Sequence, residues 1–369
     1  MSSSDIRSRR SLRVMLFSFV CWCGCLGAIL AGALGLSAFV MPDFWFTDNM
    51  SFFLRQFLAG GLAGCIAGVA GLWIRHRLPF LYKTVLSLAV IFLLALAGLT
   101  GARTLSNTVP VVALSDGTQP IKVVSLNIEH LFLGDKVLQK FLQKEKPDIV
   151  VIQEVMWWLQ EWRFWRLKQD ADNLKEAGFP EHRVLGEFGG LVVFSRFPVL
   201  ENTSTAISGE LPDGANVYFE PDRELLSLTL DTGGKPLRLL SIHPYSPRTR
   251  SQWLDKQRYM DQVDLTLQEL RNENPQRILV IGDWNSAPWS KRFQQTLASN
   301  DLKTAYPDGW PQTTRFFFDY RLHWILGAPV DQFAVSEDIQ VANVSLGPDF
   351  GSDHLPLIVE INLSDTPKN

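Results

Sequence analysis

Residues 14 to 41 contain no charged side chain, residues 52 to 74 contain only Arg55, and residues 84 to 101 again contain none. A helix needs about 20 apolar residues to cross roughly 30 Å of hydrocarbon, and only helices or closed barrels satisfy their backbone there. The three stretches are therefore read as membrane helices. A cleavable signal peptide fits the first one poorly, because its apolar part is longer than a typical h-region and two more such segments follow. Gly60, Gly64 and Gly68 recur at every fourth residue in the second stretch, a spacing that lets helices approach closely. General glycine enrichment in membrane helices explains the pattern equally well.

The flanks carry an orientation. Arg7, Arg9, Arg10 and Arg13 precede the first stretch, the next loop carries Asp43 and Asp48 without Lys or Arg, and the loop after that carries Arg75, Arg77 and Lys83. Positive charge marks the cytoplasmic side, so the chain beyond about residue 102 is expected on the far side. In a bacterial cell this reads as a multi-pass inner-membrane protein with a periplasmic domain. All four cysteines, Cys21, Cys23, Cys25 and Cys65, fall in the apolar segments. They are read as small apolar packers, which leaves the outer domain without disulfides or thiolate metal sites.

Residues 102 to 119 mix Ser, Thr, Gly and Pro without periodicity and are read as a linker between a membrane domain, 1–101, and a second domain, 120–369. From residue 120 short apolar runs alternate with amphipathic stretches. Strands are predicted near 121–127, 148–153, 191–195, 225–231, 237–242, 278–282 and 356–362, and helices near 135–144, 156–176, 251–271 and 289–299. Mixed elements over this length imply one α/β domain of stacked sheets.

The strands end in polar residues of particular types. "KVVSLNIEH" places Asn127 at the end of one run, "KPDIVVIQEV" places Glu154 after the next, and "LLSIHPYSP" does the same for His243. "ILVIGDWN" adds Asp283 and Asn285, and "FGSDHLPLIVEI" sets Asp353 and His354 just before a final strand. Each has an ordinary explanation alone: a cap, a turn, a structural histidine. Five segments doing so together point to a site. A buried Asp is costly unless a metal ion, a phosphate or another ionic group satisfies it.

In this order and spacing the segments, with "GGLVVFSRFPV" between them, resemble the endonuclease/exonuclease/phosphatase superfamily, which includes DNase I-like nucleases, neutral sphingomyelinases and inositol polyphosphate 5-phosphatases. The resemblance spans about residues 120 to 365. It implies a four-layer α/β sandwich, here preceded by three transmembrane helices. It also implies that Asn127 and Glu154 hold Mg²⁺ or Mn²⁺, with Asp353 contacting metal or supporting the site. Asp283 and Asn285 would bind or orient water and phosphoryl oxygens, His354 would act as general base or charge stabiliser, and His243 would contact the phosphate or aid the leaving group. Phosphoester hydrolysis calls for such groups: an in-line water, a cation against phosphoryl charge, and proton transfer at both ends. One position departs from the family pattern. Where an Asp normally orients the histidine matching His354, "YRLHWIL" aligns His323, with Asp319 nearby as a substitute.

The substrate is less constrained. Trp158, Trp162 and Trp165 share a helical face after Glu154 and are expected to pack on the sheet, to form an interfacial belt or acyl-chain platform, or to stack on a nucleotide. Net charge is −3, which gives no overall basic field for nucleic acid. Three readings follow. The first is a membrane-anchored phosphoesterase acting outside the cytoplasm on a phosphodiester or phosphomonoester, lipid-linked in its favoured form. The others are an extracytoplasmic nuclease on DNA or RNA, and a non-catalytic domain binding a phosphorylated ligand or a protein.

Overall fold

The computed structural model describes residues 3–74, 79–113, 119–129, 131, 133–155, 175–186, 190–207, 223–272 and 277–363. It divides into two compact units, one of Met1–Arg103 with Trp289–Lys291 and one of Thr104–Pro288 with Arg292–Asn369. The expected helix over 156–176, with its tryptophans, lies almost wholly outside the described residues.

The first unit is helical: α1 (Ser3–Val40), α2 (Trp45–Met50), α3 (Leu54–Ile74) and α4 (Phe80–Leu105). Three runs are long and apolar enough to cross a membrane, Val14–Val40, Trp45–Leu72 and Phe80–Leu105. Two of the three spaced glycines do pack helices together. A Cβ on Gly64 would collide with the carbonyl oxygen of Gly24, and one on Gly68 with the Cys25 sulfur, whereas Gly60 faces open space. The α1–α3 contact therefore depends on small residues, as close helix approach in an apolar medium requires. Tyr82 of α4 donates its hydroxyl to the Gly68 carbonyl at 2.6 Å and meets Trp22 edge-on at 4.9 Å. Cys21 and Cys25 are buried around it, all four cysteines are free thiols, and Cys23 is exposed.

The second unit holds thirteen described strands. In chain order they are β1 (Ile121–Asn127), β2 (Ile149–Gln153), β3 (His182–Leu185), β4 (Val192–Ser195), β5 (Val199–Ile207), β6 (Arg223–Leu230), β7 (Leu237–Ile242), β8 (Arg277–Asp283), β9 (Arg315–Phe316), β10 (Gly327–Ala328), β11 (Asp331–Val335), β12 (Gln340–Leu346) and β13 (Leu357–Asn362). Three described helices accompany them, α5 (Lys136–Glu145), α6 (Arg250–Asn272) and α7 (Lys291–Ser299). One sheet runs β12-β13-β1-β2-β4-β3, another runs β11-β8-β7-β6-β5, and β9 and β10 form a small pair.

The apolar runs are nearly continuous because each sheet is covered on both faces. One cluster, including Val123, Val151, Leu239, Leu279 and Val359, fills the space between the two large sheets. A second packs α5 through Leu138, Phe141 and Leu142 against the outer face of the first sheet, and a third packs α6 and α7 through Tyr259, Val263, Phe293 and Leu297 against the second. Helix, sheet, sheet, helix is the four-layer sandwich expected above.

The predicted strands and the other helices of the second unit occur within two residues of their expected limits, while the first and third apolar helices begin earlier than expected, at Ser3 and Phe80. Strands β3, β5, β9, β10, β11 and β12 were not apparent in the sequence: β3 is four residues long, β9 and β10 two each, and β5 is a mostly exposed run, "VLENTSTAI", lying at a sheet edge. The stretch read as a linker begins as the last turn of α4. The Val109 and Val112 amides then donate to the Thr304 and Val341 carbonyls at 2.9 Å each, so this part lies along the second unit.

Candidate active site

Strand direction brings the polar residues together. β1 and β2 are parallel neighbours, as are β7 and β8, so Asn127, Glu154, His243 and Asp283 all stand at or just past carboxyl ends. β11 and β13 run antiparallel to β8 and β1, and β6 runs antiparallel to β7. Their amino ends meet the same edge and deliver Asp331, His354 and Arg223. Of the eight residues anticipated from sequence, the structure brings seven to this edge, and only His323 stands apart.

His323 is the correction. It sits in the segment between β9 and β10, where its ring stacks on Tyr320 with centroids 4.7 Å apart and its Nδ1 lies 2.6 Å from the Tyr320 carbonyl. The carboxylate beside His354 is that of Asp331, whose Oδ2 accepts from Nδ1 at 2.8 Å, both residues being buried. Asp319 is no substitute either, since it caps its own turn and pairs with Arg321 at 2.7 Å. The signal was present in "VDQFAV", an Asp opening an apolar strand. The tryptophan-bearing "YRLHWIL" imitates that strand in sequence but lies between β9 and β10. Thr314 fixes Asp331 in place, its hydroxyl accepting the amides of Val330 and Asp331 at 2.9 Å each.

This pairing sets the charge of His354. Burial works against a charged ring, but the Asp331 carboxylate, with Asp283 and Asp353 behind it, outweighs that and lifts its pKa to about 9. The ring thus carries a positive charge near neutral pH, with Nε2 at 3.8 Å from Asp283 Oδ2 and 3.5 Å from Asp353 Oδ1. Asp283 is raised as well, which for a carboxylate disfavours the charged form: burial and the neighbouring Asp331 raise it, against the attraction of His354. Its oxygens accept the Asn285 amide at 2.8 Å and the Asn127 side-chain amide at 3.2 Å.

His243 is held in the opposite state. Burial and the Arg223 guanidinium both drive it well below its ordinary pKa, and Arg223 lies 2.9 Å from Nδ1. A guanidinium can only donate, so Nδ1 accepts and the proton of the neutral ring sits on Nε2. That nitrogen points between Glu154, at 3.5 Å, and Asp283, at 3.7 Å. The backbone amide of His243 is pinned by the Tyr259 hydroxyl at 3.0 Å. One histidine is therefore a cation and the other a neutral donor, on either side of Asp283.

Glu154 is the least buried of the central carboxylates, with a quarter of its side chain exposed. Burial raises its pKa, yet His243, the Asn127 amide and Arg223 together bring it down to about 2. A permanently ionised, partly open carboxylate beside an amide is an oxygen donor set suited to a hard divalent cation. Asp283, Asp331 and His354 also lie close enough to hold an ion, with one donor atom from each within 4.8 Å of the others. A protonated imidazole has no free lone pair, so Glu154 and Asn127 are the better donors. Asp353, expected near metal, is paired through Oδ2 with Arg315 at 3.1 Å. Its amide donates to the Glu129 carboxylate at 2.9 Å, which brings one further acidic side chain to this edge.

Part of the chain's backbone strain falls at this edge. Glu129, Glu154 and Asn285 all have positive φ, at 41°, 61° and 43°. Asn285 is clamped from two sides, its side-chain amide donating to the Pro244 carbonyl at 3.0 Å and its own carbonyl accepting from buried Lys256 at 3.2 Å. Lys256, Arg223, Arg315 and Glu129 were not anticipated. Three of them stand at strand or helix positions where a charged residue ordinarily faces solvent, and only the tertiary fold turns them inward.

No curated protein matches the sequence. Solved structures that resemble the chain include an endonuclease/exonuclease/phosphatase from Beutenbergia cavernae (17% identity, 67% of this chain and 72% of that one, TM-score 0.49). Another is a sphingomyelinase C from Streptomyces griseocarneus (16%, 66% and 100%, TM-score 0.45). A third is a 3′ phosphatase from Neisseria bound to a product DNA hairpin (17%, 66% and 99%, TM-score 0.48). Residues 124–354, which include all the polar strand-end residues from Asn127 to His354, match the Endonuclease/Exonuclease/phosphatase family, and the chain belongs to that family of phosphoester hydrolases.

Proposed function

We propose that the chain is a membrane-anchored, divalent-metal-dependent phosphoesterase whose catalytic domain, 120–369, works outside the cytoplasm on a lipid-linked phosphoester. The observation that carries the hydrolytic part is the buried Asp283 set between a cationic and a neutral histidine, with an ionised Glu154 open to solvent beside them. Three apolar helices and the arginines flanking the first of them support anchoring and the outward orientation.

In this reading Asp283 and Asn285 hold the attacking water and the phosphoryl oxygens. His354 offsets negative charge as it builds on those oxygens, a role that suits an imidazolium better than that of base. Neutral His243 donates from Nε2 to the phosphate, and Asp353 with Arg315 supports His354. Glu154 and Asn127 would hold Mg²⁺ or Mn²⁺, which when bound supplies Lewis-acid stabilisation of the phosphoryl group. The non-catalytic reading rested on the missing carboxylate, and Asp331 supplies it.

The metal assignment is tested by titrating Mn²⁺ into full-length protein and following binding by calorimetry. Glu154→Gln removes the one permanent charge of the proposed pair and is expected to weaken binding at least tenfold. Unchanged binding would remove Glu154 from the metal site.

A further inference from the structure

The segment that carries His323 is distinctive in its own right. Residues 317–326, "FFDYRLHWIL", form a hairpin between β9 and β10, and it is built rather than loose. Phe317 donates its amide to the Leu326 carbonyl at 2.7 Å, Asp319 accepts the Arg321 amide at 2.8 Å, and Thr313 donates its hydroxyl to the His323 carbonyl at 3.0 Å. The Tyr320–His323 stack stiffens the tip. Yet its apolar side chains face outward: Phe318 is 97% exposed, Trp324 66%, Ile325 42% and Leu322 41%.

Phe318 is the telling residue. Its φ is +69°, a conformation that a bulky side chain adopts only at a cost in strain. The fold receives no packing in return, because the ring touches almost nothing. A strained backbone that holds an aromatic ring in water is selected for what the ring meets there. An exposed cluster of aromatic and aliphatic groups marks an interaction surface, and Trp and Phe favour the headgroup region of a bilayer. The charges argue against nucleic acid: the hairpin's exposed cation, Arg321, is paired with Asp319 at 2.7 Å. The surface is neutral and apolar, which complements lipid. The chain is also joined to three helices apolar enough to cross a bilayer, so a lipid surface is within its tether.

The hairpin adjoins the active site. Arg315 at its base pairs with Asp353, the Phe316 amide donates to the Asp353 carbonyl at 2.9 Å, and a cavity of about 730 Å³ is lined by Phe316, Phe318 and Tyr320 together with Glu129, Ser352 and Asp353. We propose that residues 317–326 are a bilayer-docking hairpin that seats the mouth of the active site on the lipid surface and delivers a phosphoester headgroup to it. The delivery part rests on the hydrolase reading above, while docking itself does not.

The test uses the full chain in phosphatidylethanolamine/phosphatidylglycerol nanodiscs, with the four native cysteines changed to Ala and an environment-sensitive fluorophore at Phe318→Cys or, as a control on α5, Lys140→Cys. Docking is expected to give at least threefold stronger quenching by headgroup-level nitroxide lipid at position 318 than at 140, with reduced access to iodide. Equal iodide access and no nitroxide quenching at 318 would overturn the proposal. So would a blue shift without nitroxide quenching, which means contact with a second copy, or a shift seen only when oligonucleotide is added. In a second arm, Phe318→Ser with Trp324→Ser is expected to lower kcat/KM at least tenfold on a bilayer-presented phosphoester and to leave a small soluble aryl phosphoester unaffected. Equal loss on both substrates would overturn delivery. If neither ester turns over in the parent protein but the probe at 318 is quenched by lipid, docking is supported and the hydrolase reading fails separately.

Discussion

Replacing Asp331 by Asn is expected to lower turnover by roughly 10²-fold to 10⁴-fold while the domain stays folded. The amide is nearly isosteric, and it can still accept the Nδ1–H of His354, so the ring is not released. The negative charge that keeps the ring protonated is lost. Burial then dominates, and the pKa of His354 falls from about 9 toward and below the ordinary histidine value. The sign is definite: a ring whose pKa is raised is charged below that value and loses its charge as pH rises through it. Turnover that needs the imidazolium therefore has an alkaline limb near the raised pKa in the parent protein, and the limb moves to lower pH in Asp331→Asn. His323→Ala is the paired control, expected to change turnover of a small soluble phosphoester less than about threefold, because His323 lies outside the hydrogen bonds around Asp283. A pH–rate profile on both variants checks the point. A large effect at position 323 with little at 331 would restore the register that the sequence suggested.

Gly282→Ala should cost about 3 kcal/mol or more in stability. Gly282 has φ +149° within β8, and its register partner in β7 is Ile242. A Cβ there would collide with the Ile242 carbonyl oxygen, a backbone atom fixed by the sheet. Relief means separating β7 from β8 at the point where His243 and Asp283 follow. Stability and site geometry are thus lost together. Gly233 is the matched comparison, since it also has positive φ, +79°, but nothing lies within 4 Å of an added Cβ. Gly233→Ala should cost only about 1 kcal/mol, the backbone term alone. Thermal unfolding separates the two, with Gly282→Ala expected to melt roughly 6–12 °C lower for a domain of this size. Equal, small shifts would mean that the strands can part without penalty.

The contrast between Asp283 and Asp331 shows what was legible in the sequence. Asp283 ends a long apolar run on a parallel strand, and its polarity stands out against Ile278 to Ile281. The same holds for Asn127 and His243, which follow equally uniform runs. Asp331 opens a strand of five residues, so no preceding pattern announces it, and its importance comes from the antiparallel register that sets it opposite Asp283. Arg223 is similar: it begins β6, and its partner His243 lies twenty residues away across the sheet. The charge states of the two histidines were not legible at all, because they depend on which carboxylate or guanidinium each ring faces. The glycine spacing in α3 was ambiguous from sequence, and the structure divides it, with Gly64 and Gly68 at a helix contact and Gly60 free of one.

The central claim is that this site hydrolyses a phosphoester at a membrane. Its most direct test is Mg²⁺-dependent turnover by full-length protein in lipid nanodiscs, offered phospholipid, polyprenyl phosphoester, mononucleotide ester and DNA in parallel, with Asp283→Ala alongside. Turnover of a lipid-linked ester that requires Mg²⁺ and disappears in Asp283→Ala is the expected result. Turnover of DNA alone would contradict the lipid assignment, and no turnover of any ester by a folded, metal-binding protein would contradict the hydrolase itself.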